Sequence, residues 1–287
     1  MLHAAFAPVT SLCETASPRC ELRSSGFEWI ASGVSGSHLG VESPCGTLPE
    51  GHMKIAVISD LHLGVGDRSD RFGHDGGSFV RFLGFLEANF ERIVLLGDVW
   101  DPMTTPERVT AAEGLRRCRE AHRVLSDRFE TKPYVYVRGN HDLIAGPLVG
   151  APDHYEVEAD GLRILFTHGH HHDILVRRLP RLSELGIWVG SWLLRLNLGA
   201  LFRWFDRIDD LRSGFSGHSG SCRFQQWAVA TARARHADVV VTGHTHMPLK
   251  AQHDDVLFLN SGACTEGRLA FLSMDTAKGD FAVNTGW

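Results

Sequence analysis

Five short motifs in this chain combine oxygen and imidazole side chains at close spacing. They are Asp60-Leu61-His62, Gly97-Asp98-Val99-Trp100-Asp101, Gly139-Asn140-His141-Asp142, Thr167-His168-Gly169-His170 and Gly243-His244-Thr245-His246. Asp and Asn offer hard oxygen, His offers borderline nitrogen, and no motif contains cysteine. That donor set suits Mn²⁺, Fe or Zn²⁺ and is too rich in nitrogen for Ca²⁺ or Mg²⁺ alone. About seven such ligands exceed one tetrahedral site and suffice for two metals sharing a bridging carboxylate. Two metals roughly 3.5–4 Å apart can activate a bridging hydroxide and stabilise an in-line displacement at phosphorus.

Each motif directly follows a short apolar run of strand length: Ile55–Ser59, Ile93–Leu96, Tyr134–Val137, Leu162–Thr167 and Val239–Thr242. Two further runs, Val256–Leu259 and Leu269–Ser273, have the same character. Several are rich in β-branched residues, as buried strands are. Helical periodicity fills the intervals, with one face at Phe79, Phe82, Leu83 and Leu86, another at Leu115, Cys118, His122 and Leu125, and a third at Phe224, Trp227, Ala228 and Thr231. Strand–helix alternation predicts an α/β domain with largely parallel strands, and it puts all five motifs at the carboxyl ends of strands, where loops converge on one crevice.

Residues 174–220 interrupt the alternation. They carry Trp188, Trp192, Trp204, Phe202 and Phe205 among seven arginines and no lysine, with Leu185, Trp188, Val189, Trp192, Leu193 and Leu196 at helical spacing. This stretch reads as a helical insertion that ends in the flexible loop Ser213–Ser221. Residues 1–52 are rich in Ser, Gly, Pro and Cys and lack any sustained period. They are expected to be disordered or weakly ordered, with the folded domain spanning 53–287 and Met53 a plausible start of translation.

Of the 287 residues 43% are hydrophobic and 22% charged, which excludes wholesale disorder, and the formal net charge of −5 excludes any global attraction to nucleic acid or anionic membrane. No secretory signal is evident, and the longest apolar stretch, Ile187–Leu201, is broken by Ser191, Arg195, Asn197 and two glycines. A soluble, cytoplasmic protein is expected. The cysteines show no close pair, and Cys118, Cys222 and Cys264 read as buried, reduced thiols.

The ordered series D-x-H, G-D-x-x-D, G-N-H-D, H-G-H and G-H-x-H resembles the calcineurin-like metallophosphoesterase superfamily over roughly residues 54–275. The resemblance implies a four-layer α-β-β-α sandwich of two mixed sheets with a helical insertion, or cap, around 174–220. It implies two divalent metals, Mn foremost and Fe or Zn compatible. One would be held by Asp60, His62 and His246, the other by Asn140, His168 and His244, with Asp98 as the bridge. His141 would face the substrate as charge stabiliser and acid, with Asp101 fixing its tautomer. Hydrolysis would proceed by hydroxide attack on phosphorus, without a covalent enzyme intermediate. Some proteins of this fold are scaffolds with degraded metal sites, whereas every ligand position is filled here.

Protein phosphatases of the superfamily continue the second motif as Asp-Arg-Gly, where this chain has Asp101-Pro102-Met103. The organisation of residues 168–262 is closer to the branch that contains UDP-2,3-diacylglucosamine pyrophosphate hydrolases. That likeness implies a lipidic or nucleotide-linked phosphoester substrate, with a small-molecule or nucleic-acid phosphodiesterase as the alternative. Nucleic acid is the less expected partner, because no basic stripe or aromatic ladder runs along the chain. His170, Trp188, Trp192 and Arg195 would contact substrate, and the Trp/Arg-rich insertion could meet a lipid or a membrane surface. Two positions differ from that branch: His141 stands where it usually has Arg, and His170 where it usually has Asp.

Overall fold

A computed structural model describes residues 51–204 and 222–287, apart from 174, 175 and 177. The expected disorder of the amino-terminal segment falls almost wholly on residues 1–50, outside the described ones, as does the expected loop at Ser213–Ser221.

Two five-stranded sheets face each other. In the first the order is β10 (Asp280–Thr285), β9 (Ala270–Asp275), β1 (Lys54–Ile58), β2 (Arg92–Leu96), β3 (Tyr134–Val137). In the second it is β4 (His154–Ala159), β5 (Leu162–Thr167), β6 (Val239–Thr242), β8 (Val256–Asn260), β7 (Leu249–His253). β1, β2 and β3 are parallel, as are β5, β6 and β8, while the flanking strands run antiparallel. All seven expected strands are present. The three additional ones, β4, β7 and β10, all lie at sheet edges. Their burial is patchy and their composition polar, so they give no apolar run to read.

Alternation along the strands builds three apolar layers. Val57, Val94, Phe166, Val241, Leu259 and Leu272 meet between the sheets. The opposite face of the first sheet, with Ile58, Ile93 and Leu95, packs on α1 (Gly76–Asn89), α2 (Ala111–Ala121) and α3 (Arg123–Phe129) through Phe79, Phe82, Leu115 and Leu125. The outer face of the second sheet, with Leu165, Val240 and Phe258, packs on α6 (Arg223–Ala234) through Phe224, Ala228 and Ala232. The result is an α-β-β-α sandwich. The single helical face expected through Leu115 and Leu125 belongs to two helices. The chain breaks at His122, whose ring bonds Asp70 Oδ2 at 2.7 Å.

α4 (Ala145–Val149) is a short turn after the third motif, and α5 (Pro180–Arg195) is the long helix of the insertion. On α5 and its C-cap, Leu182, Leu185, Val189, Trp192 and Leu196 recur every three or four residues and are all exposed. This stripe therefore does not complete the core. Cys118 and Cys264 are buried thiols, and Cys222 is only partly buried.

The loops at the strand ends are tied to one another. Asp60 N donates to Gly97 O, His62 N to Asp98 O and Leu63 N to Val99 O, each at 3.0 Å, so the first and second motifs pair like short strands. Asp142 joins the second and third. Its carboxylate accepts Val99 N (2.7 Å), Trp100 N (3.2 Å), Gly139 N (2.6 Å) and Tyr136 OH (2.5 Å), and the residue is fully buried. Gly139 is required where these loops cross, since a Cβ there would sit 2.1 Å from Asp98 Oδ1.

Asp142→Ala would leave three buried backbone N–H groups without an acceptor, at about 1–3 kcal/mol each. The variant should lose at least about 3 kcal/mol in urea denaturation. A loss under about 1 kcal/mol would mean that the two loops hold their shape without this carboxylate.

Candidate metal centre

The residues at the strand ends hold unusual backbone conformations. Asp60, His62, Asp98, His244 and His246 all have φ between 49° and 68°. Left-handed backbone is uncommon outside glycine, and Asp and His are among the types that tolerate it. Such conformations cost on the order of 1–3 kcal/mol each and persist where the surroundings over-determine them. Here the carboxylates accept bonds from neighbouring loops. Asp60 Oδ2 takes Ser59 Oγ (2.5 Å) and His244 N (3.1 Å), and Asp98 Oδ1 takes His141 N (2.9 Å). Ser59 Oγ also meets Ser261 Oγ at 2.7 Å, and Asn260 Nδ2 holds Gly243 O at 2.7 Å.

These contacts aim two clusters of donor atoms at common points. In one, Asp60, His62 and His246 converge, with His62 Nε2 3.3 Å from His246 Nε2 and His246 Nε2 3.2 Å from Asp60 Oδ1. In the other, Asp98, His168 and His244 converge, with His168 Nε2 3.2 Å from Asp98 Oδ2. His168 Nε2 is also 4.0 Å from Asp60 Oδ1, so the clusters adjoin. Asn140 lies beside His141 in the same loop and is nearly buried.

The fit to cations can be judged from the atoms left over. Asp60 Oδ1, Asn140 Oδ1 and His168 Nε2 are buried and have no hydrogen-bond partner among the described residues. His168 Nδ1 donates to Leu96 O at 2.8 Å, which leaves Nε2 as the nitrogen that could meet a cation. Leaving such buried polar atoms unpaired is expensive, and a pair of divalent cations would satisfy them together, displacing any proton on Nε2. The donor set and its spacing fit a binuclear divalent metal site.

The charges are consistent with this. Burial alone would raise the carboxylates, but His246 and His168 hold Asp60 down at about 2, and His168 and His141 hold Asp98 well below the usual range. Burial likewise disfavours protonated His168, yet Asp98 and Asp60 outweigh it and push His168 up to about 10. The metal-free site therefore keeps a proton on His168.

His141 and Asp101 sit just outside these clusters. His141 Nδ1 lies 3.0 Å from Asp101 Oδ1, and its Nε2 lies 4.0 Å from Asp98 Oδ2. Asp101 Oδ2 is also 3.5 Å from His62 Nδ1, so one buried carboxylate lies near both rings. Burial opposes charge on His141, but Asp101 and Asp98 outweigh it and raise it to about 9. Trp100 is buried and packs edge-on against Phe129.

A cavity of about 440 Å³ opens beside His141, between residues 102–111 and α5. Its lining includes Arg108, Leu143, Ile144, Arg181, Leu185 and Trp188. Of the lining residues, His141 and Trp188 were expected from sequence as site residues, and Leu185 as part of the helical stripe. Arg181 is one of the seven arginines of the insertion, whereas Arg108, in the segment that follows the second motif, carried no motif signal. Trp192 and Arg195 do not line the cavity. The Arg195 guanidinium stacks over Trp192 (5.5 Å to the ring centre) and binds Asp67 Oδ2 (2.8 Å), Ser191 Oγ (2.8 Å) and the Thr104 carbonyl. His170 is buried behind His168, with ring centres 5.7 Å apart.

Because His168 is raised to about 10 in the metal-free site, a metal bound at Nε2 must displace a proton. Affinity should climb with pH from about 6 towards 10, as that competing proton is lost. Calorimetric titration in two buffers of different ionisation enthalpy should show release of about one proton per chain near neutral pH. Binding without proton release would remove His168 from the ligand set.

Comparison with known proteins places these features in a family. The family model described as calcineurin-like phosphoesterase matches residues 53–248. A UDP-2,3-diacylglucosamine hydrolase of Ralstonia nicotianae is 29% identical over 163 residues, which cover 54% of this chain and 56% of that protein. The match thus spans little more than half the length of this relative. Among solved structures, an archaeal phosphodiesterase is 19% identical with a TM-score of 0.44, over 82% of this chain and all of that one (100%). Vps29 of Chaetomium thermophilum is 18% identical with a TM-score of 0.41, over 82% and 97% of the two chains. With its model matched along 196 consecutive residues (53–248) that include all the motifs above, the chain belongs to the calcineurin-like phosphoesterase family of metal-dependent phosphoesterases.

Proposed function

We propose that this chain hydrolyses a phosphoester bearing an apolar group, with two divalent metals and His141 acting together. In this reading Asp60, His62 and His246 hold one metal, Asn140, His168 and His244 the other, and Asp98 lies between them. Mn²⁺ is the metal proposed for turnover, since mixed oxygen and imidazole donors suit it. When bound, the metals supply Lewis acidity at the phosphoryl oxygens and lower the pKa of an attacking water.

The observation that carries the proposal is the position of His141, which lines the cavity and also reaches within 4.0 Å of Asp98 Oδ2. A phosphoester held there would place its phosphoryl group at the metals and its substituent in the cavity. Asp101 accepts from Nδ1–H, so Nε2–H is directed to the substrate. The protonated ring neutralises charge on the phosphoryl oxygens and then gives its proton to the leaving oxygen. Asp101 keeps the ring oriented throughout.

The cavity supports a substrate with both apolar and anionic parts. Leu143, Ile144, Leu185 and Trp188 offer apolar surface, and Arg108 and Arg181 offer charge for phosphate or carboxylate oxygens. The exposed stripe of α5 and the likeness to a UDP-2,3-diacylglucosamine hydrolase favour an acylated, nucleotide-linked pyrophosphate, met by a cytoplasmic enzyme at a membrane surface. Among the described residues, no helix is long and apolar enough to cross a membrane. His141 in place of that branch's usual Arg favours the second reading, a smaller phosphodiester.

Turnover in Mn²⁺ of UDP-2,3-diacylglucosamine, an aryl phosphodiester and an aryl phosphomonoester separates these readings. Preference for the first supports the acylated substrate, and cleavage of only the other two removes it. Trp188→Ala should raise KM for an acylated substrate at least about 10-fold and for the aryl diester less than about 2-fold. His141→Ala should retain both metals and lose about 10²-fold in kcat. The wild-type rate should fall as pH rises towards about 9 and His141 loses its proton, earlier with metals bound beside it. An alkaline limb that survives in His141→Ala would take the proton away from this ring.

A further inference from the structure

His170, His171 and Asp153 form a cluster with no part in the reaction above. Asp153 immediately precedes β4, and the two histidines belong to a single 3₁₀ turn that starts after Gly169. One ligand atom from each of the three residues lies within 4.8 Å of the others. The rings of His170 and His171 are 4.1 Å apart between centres, and His171 Nε2 is 3.5 Å from Asp153 Oδ1.

His170 makes the cluster more than a surface coincidence. It is 3% exposed, and neither of its ring nitrogens has a hydrogen-bond partner among the described residues. A neutral imidazole needs one acceptor and one donor, and burial without either is costly. A cation in the cluster would satisfy one nitrogen.

The spacing also fits. Ligands about 2.0–2.1 Å from a tetrahedral zinc ion lie about 3.3 Å from one another. The corresponding edges in the binuclear centre are 3.2 and 3.3 Å, against 3.5 Å between His171 and Asp153. Asp153 is also held by Arg138, through Nε to Oδ1 (2.7 Å) and Nη2 to Oδ2 (2.8 Å). Each carboxylate oxygen has two lone pairs, so this fork leaves one on Oδ1 for a metal. Arg138 fixes the carboxylate while its charge weakens cation binding.

We propose that His170, His171 and Asp153 form a third divalent-cation site, separate from the binuclear centre. Two imidazoles and one carboxylate select Zn²⁺ over the oxygen-preferring cations. The fourth position opens to solvent on the side of His171, whose side chain is 46% exposed. With Arg138 beside it, this site fills after the other two.

The test is a count of zinc. The full chain is stripped with a chelator, equilibrated with Zn²⁺ alone, and counted by native mass spectrometry and elemental analysis. Wild type should hold three Zn²⁺ per chain, the third more weakly, and His171→Ala and Asp153→Asn should each hold two. Two or fewer in wild type overturns the proposal, and so does a third zinc that persists in both variants. Should Asp153→Asn fail to fold, His171→Ala changes only a half-exposed side chain and carries the comparison alone.

Discussion

Two carboxylates, Asp60 and Asp98, lie almost wholly out of water and beside each other at the centre of this protein. Buried negative charges of like sign repel, and each loses its hydration. Their ionised state is tolerable only because imidazoles and backbone N–H groups surround them, and because divalent cations can bind between them. The left-handed backbone at five of the motif residues and the cross-loop hydrogen bonds follow from holding these charges in place.

The sandwich suits this task. Each sheet has a parallel trio, and together the two trios deliver their carboxyl-terminal loops to one place. Motifs separated by up to 184 residues are thereby brought within hydrogen-bond range. Asp142 and the Asn260–Ser261 pair fasten neighbouring loops through hydrogen bonds. Arg195 extends the framework to α5 by binding the loop after the first motif, at Asp67, and the turn after the second, at Thr104. The cavity wall is thus tied to the same loops that carry the proposed ligands.

Much of this was legible in the sequence, because buried strands and metal ligands both leave strong local patterns. Seven apolar runs became seven strands, and the polar motifs after them marked the strand ends. The edge strands β4, β7 and β10 were not legible, since pairing on one side and water on the other demand no apolar run. The break at His122 was hidden because the apolar period continues through it, while the tertiary bond to Asp70 sets the bend. Asp142 was visible as part of a motif, but its four hydrogen bonds depend on where another loop passes. Arg195 shows the limit on the functional side. An arginine among tryptophans suggests phosphate, and only three-dimensional contacts reveal Asp67 and Thr104 as its partners. Arg181 belongs to the arginine-rich insertion, but Arg108 lines the cavity with no sequence pattern to announce it.

The account stands or falls on two metals sharing Asp98. Anomalous diffraction from crystals grown with Mn²⁺ tests this directly. Two peaks about 3.5–4 Å apart are expected, with Asp98 between them and Asp60 and His168 on opposite sides. A single peak, or two peaks that do not share Asp98, contradicts the binuclear centre.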